Sequence, residues 1–171
     1  MKVPTGKGSK EKIREPIYKR PLDLTIFFFA HILLCPFWLL LWAIIPALIY
    51  LEDGKPIFYR QKRVGKNGRI FSAIKFRSMT KDAERHTGPI WAKENDERVT
   101  KVGRLLRVTA LDELPQVLNI LKGDMSFVGP RPERPELMWK FSQEIPDFPL
   151  RLKVRPGLTG PVRYEVIGKP C

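Results

Sequence analysis

Cysteine is scarce in this chain, and acidic residues are outnumbered by basic ones. The 171 residues include two cysteines, Cys35 and Cys171, which stand far apart and in unlike surroundings. Two such cysteines argue against a disulfide framework or a cysteine-based zinc site, and we expect a reducing, cytosol-facing environment. The 18 acidic residues oppose 31 basic ones, so the formal net charge is +13 and the chain is not an acidic, disordered protein. Its length suits one compact domain.

A second absence is that of charge between Leu24 and Leu51, where no Asp, Glu, Lys or Arg occurs. This mostly apolar run exceeds the ~18 residues that mark a membrane-helix candidate and is longer than the apolar part of a signal peptide. A buried core helix is the alternative, but a domain this small has little surface with which to cover such a segment. The run therefore predicts a membrane helix.

The flanks of this run and Pro36 bear on its topology. Residues 1–23 carry seven basic and three acidic side chains, and residues 52–80 carry eight and two. Basic charge on both sides favours both ends on the cytoplasmic face, beside anionic phospholipid. Pro36 bends the helix into arms of about 12 and 16 residues, each too short for the ~30 Å hydrocarbon core. We predict a re-entrant helix broken at Pro36, with an ordinary kinked span as the alternative.

The next part of the chain has the pattern of a small β-hairpin. Apolar runs at 57–59 and 70–77 flank the turn signal Lys66-Asn67-Gly68. In the second run Lys75 and Arg77 are two residues apart and project from one face, so they could grip a diphosphate. Charges that protect a sheet edge from aggregation are an equally good interpretation of these two cations.

A short helix with an acidic start follows further along the chain. Apolar residues between positions 111 and 121 recur at three- and four-residue steps, which indicates one apolar helix face. Pro115 is tolerated only in the first turn, so the helix should begin near Asp112, and Gly123 should close it. Asp112 and Glu113 then lie at the helix N-terminus, where helix capping is their simplest role.

Three arginines change the interpretation of this acid pair. Arg107 lies just upstream, while Arg131 and Arg155 stand next to prolines that fix the backbone. Less entropy is then lost when a guanidinium closes on a phosphate. A carboxylate pair with such arginines suits phosphoryl transfer, in which one carboxylate attacks phosphorus and the other holds Mg²⁺. Surface ion pairing with Glu133 or Glu136 is the alternative role of the arginines.

Several motifs occur in an order that is recognisable as a whole. They are Gln61-Lys62-Arg63-Val64-Gly65, Lys75-Phe76-Arg77-Ser78-Met79, residues 98–103, Leu111-Asp112-Glu113-Leu114-Pro115-Gln116, residues 122–126, Val128-Gly129-Pro130-Arg131-Pro132 and residues 154–160. On these motifs, from about Tyr18 to Gly160, the chain resembles the bacterial sugar transferase family. This family comprises monotopic polyprenyl-phosphate phosphoglycosyl transferases that begin the assembly of exopolysaccharide, O-antigen and related glycans.

The resemblance implies a chemistry for named residues. Asp112 would attack the β-phosphate of a UDP-sugar, giving a covalent phosphosugar-enzyme, and undecaprenyl phosphate would then take up the sugar phosphate. Glu113 would bind Mg²⁺, with Asp112 nearby. Arg107 and Arg131 would contact phosphate oxygens, and Lys75, Arg77 and Arg155 are further candidates for the nucleotide or lipid phosphate.

The resemblance also implies an architecture and a location. We expect an α+β fold: a mostly helical membrane-associated domain with a re-entrant broken membrane helix, interfacial amphipathic helices and a small β-hairpin. Residues 1–23 would form a basic interfacial segment, 24–51 the re-entrant helix and 52–171 a cytoplasmic catalytic domain at the bacterial inner membrane. The amphipathic stretch 136–148 could lie along the membrane interface or pack on the core.

Two departures from the family pattern keep a second function open. Ala110 replaces a common serine, and after Gly160 the chain reads PVRYEVIGKPC, shorter than the family usually is. A chain lacking part of the substrate pocket would be a non-catalytic, membrane-anchored scaffold that binds anionic lipid or a glycan-assembly partner. Nucleic acid is not an expected partner, because the positive charge lies beside the apolar run. The sugar and the oligomeric state, a homodimer included, stay open.

Overall fold

The computed structural model describes residues 15–81, 83 and 96–160. Most of the basic N-terminal segment and residues 161–171, where the chain departs from the family pattern, therefore lie outside the described residues. The described part combines helices with two small two-stranded sheets, so the α+β class is confirmed. Its elements are α1 (Lys19–Leu33), α2 (Cys35–Asp53), β1 (Phe58–Val64), β2 (Ile70–Phe76), α3 (Lys101–Val108), α4 (Val117–Lys122), β3 (Ser126–Val128), α5 (Pro135–Glu144) and β4 (Gly157–Thr159), with 3₁₀ turns at Lys66–Gly68, Leu111–Gln116 and Phe148–Lys153.

The contacts divide the chain into two compact units, each made of separate stretches of sequence. Of the described residues, the first unit holds 15–29, 60–73 and 116–160, and the second holds 30–59, 74–81, 83 and 96–115. The expected segmentation into 1–23, 24–51 and 52–171 follows the sequence, whereas the contacts group residues that are distant along it.

The second unit is built around the apolar helix α2. Only Ile45 and Ile49 of this helix are buried, and they pack with Phe76, Leu106 and Leu114. The other large apolar side chains of α2 are exposed or partly buried. Among the described helices, α2 is the one that is long and apolar enough to cross a membrane, by length and composition.

The predicted helix interruption is present, two residues before Pro36. Helix α1 ends at Leu33, Leu34 leaves helical geometry with φ −106° and ψ 23°, and Pro36 occupies the first turn of α2. Proline lacks the N–H that would bond the carbonyl of Ile32, and its ring crowds that carbonyl. The Trp38 indole lies across the interruption, donating a 3.2 Å hydrogen bond to the carbonyl of Ala30.

The first unit contains the hairpin turn that the sequence predicts. Asn67 and Gly68 both have positive φ, 57° and 77°, and lie in the 3₁₀ turn between the two strands. Asparagine and glycine tolerate this left-handed backbone better than other residues do, which is why this dipeptide marks the turn. The amide of Gly65 closes the loop on the carbonyl of Arg69 at 2.8 Å.

The first unit also contains a strand pair that the sequence does not reveal. Strands β3 and β4 are parallel, with Ser126 opposite Gly157 and Val128 opposite Thr159. Nearby, α5 directs Met138, 1% exposed, into a cluster with Val64, Phe148 and Leu152. The apolar face of the stretch 136–148 therefore packs on the core, which is one of the two roles that the sequence leaves open for it.

Two basic residues at the start of α1 have protein partners in the first unit. The ammonium of Lys19 donates to the carbonyl of Val128 at 2.5 Å. The guanidinium of Arg20 donates to the carbonyls of Ile120 and Leu121 at 2.5 and 2.7 Å, at the C-terminal end of α4. The amide of Gly123 also donates to the carbonyl of Ile120 at 2.9 Å, so Arg20 adds donors at a helix end where the backbone carbonyls lack their usual helical partners.

Candidate active site

The acid pair lies in a tight turn directly after helix α3. Ala110 reverses the chain with a positive φ of 56°, and the amide of Glu113 donates to its carbonyl at 3.2 Å. The α-helix predicted from Asp112 onwards is instead a 3₁₀ turn over Leu111–Gln116, followed by α4. Pro115 cannot donate to the carbonyl of Leu111, and its ring crowds that carbonyl, which disfavours α-helical geometry at this point.

The end of this helical segment agrees with the sequence. Gly123 follows α4 with a φ of 87°, and its amide donates back to the carbonyls of Asn119 and Ile120. A left-handed residue at this position is the usual helix stop, and glycine adopts it without a steric cost.

The two carboxylates differ in their surroundings. Asp112 is 9% exposed, whereas the side chain of Glu113 is 14% exposed and forms an ion pair with Lys75. The Lys75 Nζ lies 2.7 Å from Oε1 of Glu113, a short charge-assisted hydrogen bond between strand β2 and the 3₁₀ turn. Lys75, predicted as a phosphate ligand, is thus brought to the acid pair itself.

Arg107, in the last turn of α3, belongs to the same compact unit as the acid pair. Its Nε donates to the Ser78 hydroxyl at 2.9 Å, and Ser78 is 8% exposed. The helix carrying it begins at a Thr100 cap, whose side chain accepts from the amide of Gly103 at 2.9 Å. A buried hydroxyl therefore fixes one side of a guanidinium just upstream of the acid pair in the sequence.

The side chain of Arg77 is held by backbone carbonyls at the end of α2. Its side chain is 6% exposed and donates from Nη2 to the carbonyls of Asp53 and Gly54, at 3.0 and 2.8 Å. The Asp53 carboxylate lies 3.2 Å from the same nitrogen. Arg77 thus completes the C-terminal end of α2, where a cation is favoured.

The apolar helix is attached to the elements that carry the site. Glu52, near the end of α2, accepts hydrogen bonds from the amides of Lys101 and Val102 at 2.7 and 3.0 Å. These amides begin α3 and have no acceptor within that helix. Leu114, next to the acid pair, packs with Ile45 and Ile49 of α2. The acid pair is therefore fixed close to the membrane-helix candidate.

Arg131 and Arg155 belong to the first unit. Arg131 lines a small cleft together with Glu133 and Arg151. Arg155 donates from Nε to the carbonyl of Gly123 at 3.0 Å and from Nη1 to the Glu15 carboxylate at 2.8 Å.

In this unit the pKa values of Glu15 and Arg151 are both lowered from their ordinary values. Burial raises the pKa of Glu15, but the cations of Lys66, at 2.6 Å, and Arg155 outweigh it and leave the pKa below its usual value. Burial lowers the pKa of Arg151, against the opposing charge of Glu133. Glu15 therefore remains ionised at neutral pH between two cations.

A magnesium ion at the acid pair would need ligands from the substrate as well as from the protein. Among the described residues no group of three or more His, Cys, Asp and Glu side chains could hold a metal ion. Mg²⁺ is commonly held by one or two carboxylates together with substrate phosphate oxygens, and it keeps several waters. Asp112 and Glu113 fit that requirement, with Glu113 already compensated by Lys75.

Three residues of the site are absent from the sequence-based prediction. The Ser78 hydroxyl accepts a hydrogen bond from Arg107, and the Glu52 carboxylate accepts two from backbone amides at the start of α3. Contacts between residues this distant in sequence leave no periodic pattern in it. In the sequence Ala110 is visible as a departure from the family pattern, but not as the residue whose left-handed backbone starts the turn that carries the acid pair.

Comparison with known proteins finds a family and several relatives that this chain resembles. The family model described as bacterial sugar transferase matches residues 14–169. A UDP-N-acetylgalactosamine-undecaprenyl-phosphate N-acetylgalactosaminephosphotransferase of Aeromonas hydrophila is 43% identical over 85% of this chain and 34% of its own length. A UDP-glucose:undecaprenyl-phosphate glucose-1-phosphate transferase of Caulobacter vibrioides is 41% identical over 90% of this chain and 55% of its own length.

A third relative, an undecaprenyl-phosphate galactose phosphotransferase of Salmonella typhimurium, is 36% identical over 88% of this chain and 33% of its own length. The chain thus spans about a third to just over half of these three relatives. The matched residues contain the acid pair, the hairpin and both units described above. The chain belongs to the bacterial sugar transferase family.

Proposed function

We propose that the chain transfers a sugar-1-phosphate from a UDP-sugar to undecaprenyl phosphate, the first membrane step of exopolysaccharide, O-antigen or related glycan assembly. The names of the relatives describe this chemistry for proteins that share the matched region. The observation that carries the proposal is that Leu114, beside the acid pair, packs on the membrane-helix candidate α2. A water-soluble sugar nucleotide must meet a lipid phosphate at the head-group plane, and this packing supports an acid pair near that plane.

The first step is a substitution at phosphorus. An Asp112 carboxylate oxygen forms a bond to the β-phosphorus of the UDP-sugar as the bond from that phosphorus to the bridging oxygen breaks. UMP leaves with the electron pair, and the sugar phosphate remains on Asp112. No proton needs to move, because the attacking group is already a carboxylate.

The second step restores the enzyme. A phosphate oxygen of undecaprenyl phosphate bonds to the phosphorus held by Asp112 as the bond to the carboxylate oxygen breaks. The products are undecaprenyl diphosphate-sugar and a free Asp112 carboxylate. The low exposure of Asp112 supports this scheme, since an acyl phosphate away from bulk water is less open to hydrolysis.

Cations balance the charge of the phosphates in this proposal. Glu113 and Asp112 would hold Mg²⁺, which when bound neutralises charge on the substrate phosphate oxygens. Lys75 keeps the Glu113 carboxylate in place. Arg107 and Arg131 are the proposed phosphate contacts. Arg155, whose guanidinium already holds Glu15, is the weaker candidate.

A panel of UDP-sugars tests the activity directly. The purified chain is incubated with each sugar nucleotide, Mg²⁺ and undecaprenyl phosphate, and UMP release is measured. We expect release with at least one sugar, a loss of at least about a thousandfold for Asp112→Asn, and a loss of most activity for Glu113→Gln. Asp147→Asn, an exposed change of the same charge, is the matched control and should keep full activity. No UMP release from any sugar would favour the membrane-anchored scaffold instead.

The membrane placement is part of the proposal. We infer a monotopic chain on the cytoplasmic face of the inner membrane, with α1 and α2 entering and leaving on the same side. The interruption at Leu34 and the basic residues on both flanks support this topology. Single cysteines placed near positions 10 and 55, in a chain lacking Cys35 and Cys171, should be equally protected from an impermeant thiol reagent in intact cells. Labelling of one position alone would indicate a span.

A further inference from the structure

The guanidinium of Arg107 is anchored at one atom only. Its Nε donates to the Ser78 hydroxyl at 2.9 Å, and no described residue accepts a hydrogen bond from Nη1 or Nη2. Arg77, by contrast, uses its Nη2 group on the carbonyls at the end of α2. Within the described part of the second unit, Arg107 thus keeps the paired N–H edge that suits two oxygens of a phosphate.

Ser78 is held firmly by the elements around it. Its carbonyl accepts the amide of Thr100 at 3.3 Å, and the residue is 8% exposed. A Cβ on Gly103 would lie 2.0 Å from the Ser78 carbonyl oxygen, so α3 approaches the backbone of Ser78 this closely only because position 103 is glycine. Arg107 lies four residues after Gly103 and therefore on the same face of the helix, within reach of the Ser78 hydroxyl.

The backbone of Arg107 is tied to the acid pair. Its carbonyl accepts the amide of Ala110 at 3.2 Å, and the carbonyl of Ala110 accepts the amide of Glu113 at 3.2 Å. A guanidinium fixed by Ser78 is thereby also fixed relative to the turn of Asp112 and Glu113. Ser78 itself touches neither carboxylate in the contacts of the described residues.

We propose that Ser78 is a positioning residue, which holds Arg107 through Nε so that its two Nη groups face phosphate oxygens of the sugar nucleotide. This inference rests on the proposed function. An arginine already fixed at Nε loses less side-chain entropy on binding, and its free edge matches a phosphate in two parallel hydrogen bonds. The Ser78 hydroxyl therefore contributes to substrate affinity without contacting the substrate.

A double-mutant cycle with Arg107 tests this role. Ser78→Ala should lower kcat/KM about tenfold, the effect of losing one hydrogen bond to a charged group. In an Arg107→Gln background the same change should cost less than about twofold, because no guanidinium remains to be positioned. Ser78→Thr keeps the hydroxyl and should restore most of the activity.

Ser126→Ala is the matched control. Ser126 is a fully buried serine whose hydroxyl donates to the Asp23 carboxylate at 2.9 Å, in the first unit. The Ser126→Ala variant should lower the melting temperature about as much as Ser78→Ala does, while its kcat/KM stays within about twofold of that of the original chain. The proposal is overturned if Ser78→Ala costs the same factor in both Arg107 backgrounds, or if it costs nothing.

Binding of UDP, measured by calorimetry, separates this inference from the proposed function. Ser78→Ala should weaken UDP binding about tenfold, again only when Arg107 is present. If the unchanged chain turned over no UDP-sugar but this coupling persisted, the transferase function would be wrong and the positioning role would stand. Turnover by the unchanged chain without coupling in either measurement would reject the role of Ser78 alone.

Discussion

At the scale of single residues, partners decide what a charged side chain does. The sequence places Lys75 and Arg77 on one strand face as a possible phosphate grip, yet Lys75 pairs with Glu113 and Arg77 closes the end of α2. Their residue type and spacing were visible in the sequence, but their partners lie 38 and 23 residues away. Asp112 and Glu113 could be proposed because the motif surrounding them is distinctive.

Lys75→Met removes the cation that holds the Glu113 carboxylate. We expect kcat/KM to fall by about ten- to a hundredfold, because Glu113 loses a hydrogen-bonded partner at 2.7 Å and its position. The measurement is UMP release, with the melting temperature recorded in parallel. Lys62→Met, an exposed lysine on β1, serves as the control. Equal activity of both variants would show that the ion pair does not matter for turnover.

Ala110→Gly relieves the backbone at the start of the acid-pair turn. Alanine with a φ of 56° costs about 1–2 kcal/mol, more than the extra chain entropy that glycine loses on folding. We expect the melting temperature to rise by about 2–4 °C. Ala73→Gly, in a strand with ordinary backbone angles, should lower it. A decrease with Ala110→Gly would mean that the left-handed backbone is not strained there.

At the scale of elements, local signals were sufficient for some parts and not for others. The hairpin turn and the stop of α4 follow from Asn67-Gly68 and Gly123, because left-handed backbone selects those residues. The parallel pair of β3 and β4 was not predictable, since each strand has three residues and their partners are distant in sequence.

Gly103→Ala tests the close approach of α3. The added Cβ would lie 2.0 Å from the Ser78 carbonyl oxygen, so the helix must shift. We expect a loss of about 1–3 kcal/mol in stability and a lower melting temperature, together with reduced transfer. Arg104→Ala, on the exposed side of the same helix, should change neither quantity noticeably. An unchanged melting temperature would contradict the tight packing.

Glu15→Gln tests the ion pairs that hold the residues preceding α1. The pKa of folded Glu15 is lowered, so its charge stabilises the fold above the ordinary value of 4.5 and this contribution is lost as the pH falls through the folded pKa. The variant should melt several degrees lower than the original chain at pH 7, and the difference should shrink towards pH 3. A difference independent of pH would point to packing in place of charge.

At the scale of the whole molecule, the apolar helix α2 links the proposed membrane attachment to the placement of the acid pair. Its exposed side chains suit lipid, while Ile45 and Ile49 pack with Leu106 and Leu114. The uncharged run made a long apolar helix, a membrane-helix candidate, predictable from the sequence alone. The attachment of Glu52 to the start of α3 was not, because it uses backbone amides.

Membrane attachment should depend on apolar surface more than on charge. We expect the chain to sediment with membranes at about 1 M salt, where surface charge is screened within ~3 Å. Replacing the exposed Leu39 and Leu40 of α2 by glutamate should release it, whereas Leu105→Glu on α3 should not. Release of the original chain by salt alone would make the attachment electrostatic.

The covalent step at Asp112 is the central claim, and mass spectrometry of the trapped protein tests it most directly. The chain is incubated with a UDP-sugar that it turns over and with Mg²⁺, without undecaprenyl phosphate, and is then digested. The account predicts a phosphosugar adduct on the peptide that contains Asp112, absent from the Asp112→Asn variant and removed when undecaprenyl phosphate is added. Turnover without any adduct, or an adduct on a different residue, would contradict it.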